Sequence, residues 1–385
     1  MDRAEDKLLV TRVMTFKSGK VAFSRNYSRE AVVEDIVRFE ALFHALAALP
    51  IVPGLAAQLD TDLIRRSIFS TAAIEGNPLS EEEVGEILAE PAGKTVRARA
   101  EQEIVNLGKA YRRVAPPVPG EPRVPFVVTE QFIRELNQII TADINHKDHT
   151  PGQYRNHMVE VGNADHGGKY VPPRILADIQ PLMAAFVEWI NSEEVMGEGA
   201  LVRAALAHYH LGLIHPFGDG NGRTARLVEA MILQQAGYRY IPVLMSNFYY
   251  KSIDEYYVAF QEAEKASASD ITPFIKYFMR VVLLSAKDIQ DRIHWGIRIM
   301  ALRHLYDAYM QDKTIGRRQH DLLQVLLLHP GKAISLKDLH LDPLCAPLYR
   351  SVSEKTARRD LARLQELRLL LEREQGLVLN PFVME

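Results

Sequence analysis

The chain has 385 residues, 47% hydrophobic and 25% charged, with a formal net charge of −3. That is an ordinary soluble globular composition, long enough for two or three domains, with no global reason to expect nucleic acid or an anionic membrane as partner. The single cysteine, Cys345, excludes an intramolecular disulfide and a cysteine-rich zinc site. The charged start Met1 to Lys7 adjoins no apolar leader, and no apolar run approaches the ~18 residues of a membrane span, so cytoplasmic residence without membrane contact is expected.

In chain order, a strand-like Val21-Ala22-Phe23 gives way to helical periodicity from Ala31 to Leu49, which the step from Pro50 to Pro53 ends. Helices are expected over Thr61–Ile74, Ser80–Leu88 and Thr95–Arg113. The run Pro116-Pro117-Val118-Pro119-Gly120-Glu121-Pro122 then breaks the chain before Thr129 caps a new helix. From there to Ala308 the pattern is helical, with one interruption. Between His149 and Pro173, short β-favouring pieces flank a glycine-rich tip, Asn163 to Gly168, and read as a hairpin. Such a flap can clamp a target chain by strand addition.

The richest segment is His215-Pro216-Phe217-Gly218-Asp219-Gly220-Asn221-Gly222-Arg223-Thr224-Ala225-Arg226, between a helix ending at Ile214 and one resuming through Leu227, Val228, Met231 and Ile232. Pro216 argues against a continuous helix, and the glycines permit a tight turn at Asn221. A turn feeding a helix N-terminus presents orphan amides and the positive dipole end, an anion hole suited to a di- or triphosphate. Arg223 and Arg226 share one helix face and can clamp phosphate oxygens. Asp219 is a hard oxygen ligand suited to Mg²⁺, and His215 is the proton acceptor within the motif. A buried anchor for the loop is the reading for Phe217.

This run resembles the signature of Fic domains, His-x-Phe-x-[Asp/Glu]-Gly-Asn-Gly-Arg-x-x-Arg, at every specified position. Upstream, the helix Leu63 to Ile74 is stopped by Gly76, Asn77 and Pro78, leaving Glu75 as a last-turn carboxylate against the negative end of its dipole. The segment resembles the Fic inhibitory motif [Ser/Thr]-x-x-x-Glu-[Gly/Asn], through Thr71, Glu75 and Gly76. The resemblance implies that Glu75 pairs with Arg226 and takes the space of the γ-phosphate. It also implies transfer of AMP from ATP to a Ser, Thr or Tyr hydroxyl of a protein, itself included. In that reading His215 is the base, Asp219 holds Mg²⁺, and Gly220, Asn221, Gly222, Arg223 and Arg226 bind phosphates. Val161 and Gly162 lie along the nucleotide, and Val159, Val161 and Tyr170 of the flap hold the target. Tyr256 and Tyr257 resemble a pair flanking adenine and ribose, at most one of them touching the base because adjacent helix positions diverge. The family Asn two turns further on has no counterpart near Glu264. Removal of AMP from a modified protein by Glu75, and a DNA-binding regulator retaining a Fic fold, are the alternatives.

Beyond a polar link from Gln311 to Gly316, a helix over Arg317–His329, a short helix from Ser335, a capped helix over Ser353–Leu364 and a hairpin of Leu370–Arg373 with Leu377–Leu379 resemble a winged helix-turn-helix. Lys355, Arg358 and Arg359 are placed to meet DNA, although Asp360, Glu366, Glu372 and Glu374 dilute that face and leave a protein dock or dimer support open. The expected fold is mainly α: a Fic-type helical bundle with a short β-hairpin flap and a small winged-helix-like α/β domain. The expected division is 1–115, an N-terminal helical region with the inhibitory helix; 116–310, the catalytic core; and 317–385, the appended module. A homodimer is compatible with it.

Overall fold

Side-chain capping sets many of the helix starts. Ser80, Thr129, Ser192, Ser335 and Ser353 each accept a hydrogen bond from the amide three residues on, and a helix begins at the next residue. In the computed structural model, residues 12–17, 19–49, 51–90, 98–114, 126–145, 147–163 and 168–384 are described. The charged start, the proline-rich run 116–122 and the hairpin tip 164–167 lie outside them.

Two compact units are present, the first running to Ile289 and the second from Gln290. The first holds strands β1 (Arg12–Phe16) and β2 (Gly19–Phe23), then helices α1 (Val33–Ala47), α2 (Pro53–Ile74), α3 (Glu81–Ala89), α4 (Arg99–Arg113) and α5 (Glu130–Thr141). Strands β3 (Val161–Asn163) and β4 (Gly168–Tyr170) follow. After them come α6 (Leu176–Ile190), α7 (Glu193–Met196), α8 (Ala200–Ile214), α9 (Asn221–Gln235), α10 (Ile241–Lys251), α11 (Ile253–Lys265) and α12 (Thr272–Gln311), in which the unit boundary falls. Helix α8 is apolar on nearly every face, the pattern of a fully buried helix. It packs against α9, α6 and β2, while α2 lies along α10.

The second unit carries α13 (Arg317–Leu328), α14 (Leu336–Leu341), α15 (Ala346–Tyr349), α16 (Glu354–Glu366), β5 (Leu370–Arg373) and β6 (Gly376–Leu379). Leu322, Leu326, Tyr349, Ala357 and Leu364 form its core. Ile334 exchanges two 2.8 Å backbone hydrogen bonds with Leu377, extending the β5–β6 hairpin by one residue.

Among the described residues the three sheets are antiparallel pairs. Strand β1 was not anticipated: five residues with alternating half-burial give too short a period-two signal. Helix α2 begins at Pro53, before the expected Thr61, because proline at the first helical position needs no amide partner and has φ preset. Helix α15 was also missed, having only four residues. No helix among the described residues is long and apolar enough to cross a membrane.

Candidate active site

The loop between α8 and α9 is built by a reversal at His215, which adopts φ 48°, ψ 59°. A left-handed conformation is costly for a residue bearing Cβ and persists only where neighbours over-determine it. Pro216, which disfavours a helical residue before it, supplies part of that constraint. Phe217 supplies another: it is 1% exposed, with its ring 5.4 Å from that of Tyr154. The Asn221 side chain closes the loop, Oδ1 accepting from the Phe217 amide and Nδ2 donating to the Phe217 carbonyl, both at 2.8 Å. Gly220, at φ 78°, then caps α9.

These bonds engage part of the expected phosphate cradle internally. The Asn221 side chain is spent on Phe217, so it shapes the loop instead of facing a ligand. The Gly220 amide donates to Asp219 Oδ1 at 2.6 Å. What faces the cleft is Gly222, in the first turn of α9, where helix amides have no intrahelical acceptor.

A cleft of about 290 Å³ is lined by His215, Gly222, Arg226 and Glu75, with Val161, Gly162 and Tyr170 from the hairpin and Tyr256 and Tyr257 from α11. Val159 falls two residues before β3 and is not among the lining residues. Buried Arg226 donates to Glu75 Oε1 at 2.6 Å, to Thr71 Oγ1 at 2.8 Å and to the Thr71 carbonyl at 3.3 Å. The Glu75 carboxylate lies against the Cα of Gly222, where any Cβ would collide with it. The carboxylate thereby leaves the unfavourable end of the α2 dipole for the favourable end of α9. Burial opposes its ionisation, but the guanidiniums of Arg226 and Arg223 prevail and hold its pKa below the ordinary value.

Burial lowers His215 to about 4; the Arg155 charge acts in the same direction, and Glu75 and Asp219 oppose it. The imidazole is therefore neutral at physiological pH. Asp219 pairs with Arg223 at 2.8 Å and with Arg99 at 3.3 Å. Arg223 is 2% exposed, its Nε and Nη1 buried without hydrogen-bond partners among the described residues, with the Glu103 carboxylate 3.9 Å from Nη1. Among the described residues no group of three or more metal-ligating side chains is arranged around one point.

Several participants were not legible in the sequence. Behind the cleft, the Glu229 carboxylate accepts from Tyr249 at 2.9 Å and binds His208 Nδ1, and His208 Nε2 meets the Tyr256 hydroxyl at 2.9 Å. Tyr256 is thus buried, and it lines the cleft together with Tyr257. The available signal was Glu229, a carboxylate in an otherwise apolar stretch of α9. Gln261 also lines the cleft, near where the family Asn was sought, and donates to the Gly168 carbonyl at 2.8 Å. Lys355, Arg358 and Arg359 are exposed on the first turns of α16, Arg358 pairing with Glu354 at 2.9 Å.

Residues 127–233 match the Fic/DOC family, a span that takes in the hairpin, the loop and most of α9. The chain carries a Fic domain. It is 31% identical over 222 residues to the protein adenylyltransferase fic-1 of Caenorhabditis briggsae, covering 54% of this chain and 38% of that one. It is 29% identical over 313 residues to the protein adenylyltransferase Fic of Culex quinquefasciatus, covering 78% of this chain and 56% of that one. The chain thus spans 38–56% of the length of these relatives. In fold it is similar to a Fic family protein of Desulfovibrio desulfuricans G20, with a TM-score of 0.54 at 20% identity over 91% of this chain and 96% of that one. Within this Fic fold the loop from His215 to Arg226 supplies the cleft floor, and Glu75 reaches it from the N-terminal helices.

Proposed function

We propose that the chain is an autoinhibited protein adenylyltransferase, moving AMP from ATP to a Ser, Thr or Tyr hydroxyl of a target protein or of itself. One observation carries the reading: a carboxylate anion, Glu75, is seated on Arg226 at the α9 N-terminus beside a neutral imidazole. A site that stabilises an internal anion there is suited to phosphate oxygens once Glu75 withdraws. Neutral His215 takes the proton of the target hydroxyl as its oxygen attacks the α-phosphorus, and the bond to pyrophosphate breaks. Arg226 and Arg223 offset the charge on that leaving group. Tyr256 and Tyr257 offer the nucleotide's base and sugar their rings. Val161 and Tyr170 offer the target a strand edge, with Val159 on the approach to it.

Asp219 provides one hard carboxylate oxygen on a side chain that is 17% exposed, the protein share suited to Mg²⁺ held chiefly by substrate phosphates. To receive the ion it would release Arg223 and Arg99. Mg²⁺, when bound, would spread phosphate charge.

The test is mass spectrometry of Glu75→Gly incubated with ATP. An AMP adduct on the protein or a lysate protein is expected; absence of any nucleotide adduct refutes the reading. Because the Glu75 side chain is still 30% exposed within the same cleft as His215, hydrolytic removal of AMP is the second reading. AMP released from a pre-modified target, and lost on Glu75 replacement, would establish it. The exposed Lys355, Arg358 and Arg359 make the winged-helix-like C-terminal unit a proposed DNA or protein contact. Gel shifts comparing the full chain with a triple-alanine variant distinguish the two.

A further inference from the structure

Arg155 is 3% exposed, and no carboxylate pairs with it among the described residues. A buried guanidinium without a counter-ion is expensive unless its donors are satisfied. Here they are satisfied by carbonyls. Nε donates to the His215 carbonyl at 2.8 Å, Nη1 to that of His157 at 2.6 Å, and Nη2 to those of Pro173 at 2.6 Å and Ile214 at 3.5 Å. Its own amide donates to the Pro216 carbonyl at 3.0 Å. The acceptors fall into two groups. Ile214, His215 and Pro216 are the C-terminal end of α8 and its strained reversal, where a cation also meets the negative end of the helix dipole. His157 and Pro173 precede and follow the two flap strands. One planar fork thus ties the loop bearing the base to both arms of the flap.

We infer that Arg155 is a positioning residue for His215, holding the imidazole at the cleft floor and in register with the flap. The inference rests on the reading of His215 as the base. Arg155 touches no reacting group; it acts through the His215 backbone and through its charge. Glu75 from α2 and Asp219 from the loop face the imidazole with opposite sign, and Arg226 and Arg223 on α9 are paired with those two carboxylates.

The experiment uses the full chain with ¹³C-labelled histidine, the His215 signal being identified by its loss in His215→Asn. In Arg155→Gln, shown by circular dichroism to be folded, His215 is expected to titrate at higher pH than in the parent, because a cation beside it has gone. Arg155→Lys keeps the charge but not the fork, and is expected to shift the His215 signal with a smaller change in titration. In the Glu75→Gly background, both variants are expected to lower kcat at least about tenfold while the KM for ATP moves less than about threefold, with Lys recovering part of the loss. An unchanged His215 signal and titration in the folded Gln variant overturns the inference. Should Gln not fold, an unchanged signal and kcat in the Lys variant does the same. If Glu75→Gly transfers nothing, the proposed function fails, while the titration still decides the role of Arg155.

Discussion

Replacing Glu75 by Gly removes an ion pair whose Arg226 partner has a side chain 3% exposed and whose own side chain is 30% exposed, at 2.6 Å. With charge centres about 4 Å apart and an effective dielectric near 20, the attraction is about 4 kcal/mol. Partial exposure of the carboxylate and its desolvation reduce the net to about 2–3 kcal/mol. Arg226 keeps both bonds to Thr71, so its guanidinium stays in place and is freed for a ligand. A bias of that size corresponds to a 30- to 150-fold shift of population, or about 97–99% inhibition in the parent. Glu75→Gly should therefore raise incorporation from α-³²P-ATP by about 30- to 100-fold, with no label from γ-³²P-ATP. The Fic resemblance implies that ATP still binds beside Glu75 with its α-phosphate turned away from attack, so the gain should appear chiefly in kcat. Equal incorporation by parent and variant, with ATP binding to both verified by calorimetry, would refute the braking role.

Replacing His215 by Ala in that background should abolish transfer and leave ATP affinity within about threefold, because the imidazole serves the chemistry more than phosphate binding; persistent labelling would require another base. Glu229→Ala strips the buried acceptor from Tyr249 and His208, so urea unfolding should show a loss of about 3 kcal/mol, and a change below about 1 kcal/mol would mean that the network is not structural. His210 is 0% exposed and lowered to about 4 by burial. Its Nδ1 donates to the Leu206 carbonyl at 2.9 Å and its Nε2 accepts from the Ser24 amide at 3.1 Å, an arrangement that a second ring proton breaks. As pH falls from 6.5 to 4 the unfolded chain takes up a proton at this position that the folded one refuses, so His210 should contribute a loss of about 3 kcal/mol over that window, beside that of His215, which is lowered to a similar value. In His210→Gln the slope between pH 6.5 and 4 should flatten, and an unaltered slope in denaturant titrations would disprove the assignment.

What the sequence disclosed and what it withheld divide along a physical line. Local rules were readable: Ser80, Thr129, Ser335 and Ser353 announce helix starts, Gly220 a left-handed turn, and Glu75 an uncompensated helix-end charge seeking a partner. Arg226 is that partner, 151 positions away. Contacts made by position alone were not readable. Nothing in the neighbourhood of Arg155 says that four carbonyls from three stretches of chain converge on it, and the Asn221 side chain looks as fit for a phosphate as for the Phe217 backbone. His208 and Glu229 lie 21 residues apart on different helices and become a pair only when α8 packs on α9. Single-residue chemistry survives in the one-dimensional string; convergence does not.

The bare Cα of Gly222 under the Glu75 carboxylate has a genetic corollary. A side chain at position 222 would push the Glu75 carboxylate off its seat, yet a substitution at 222 also crowds the ground a nucleotide would occupy. Release from restraint can therefore be reached from only one side. A screen for hyperactive alleles should return changes between Thr71 and Gly76 and none at 222, where every escape damages the machine it sets free.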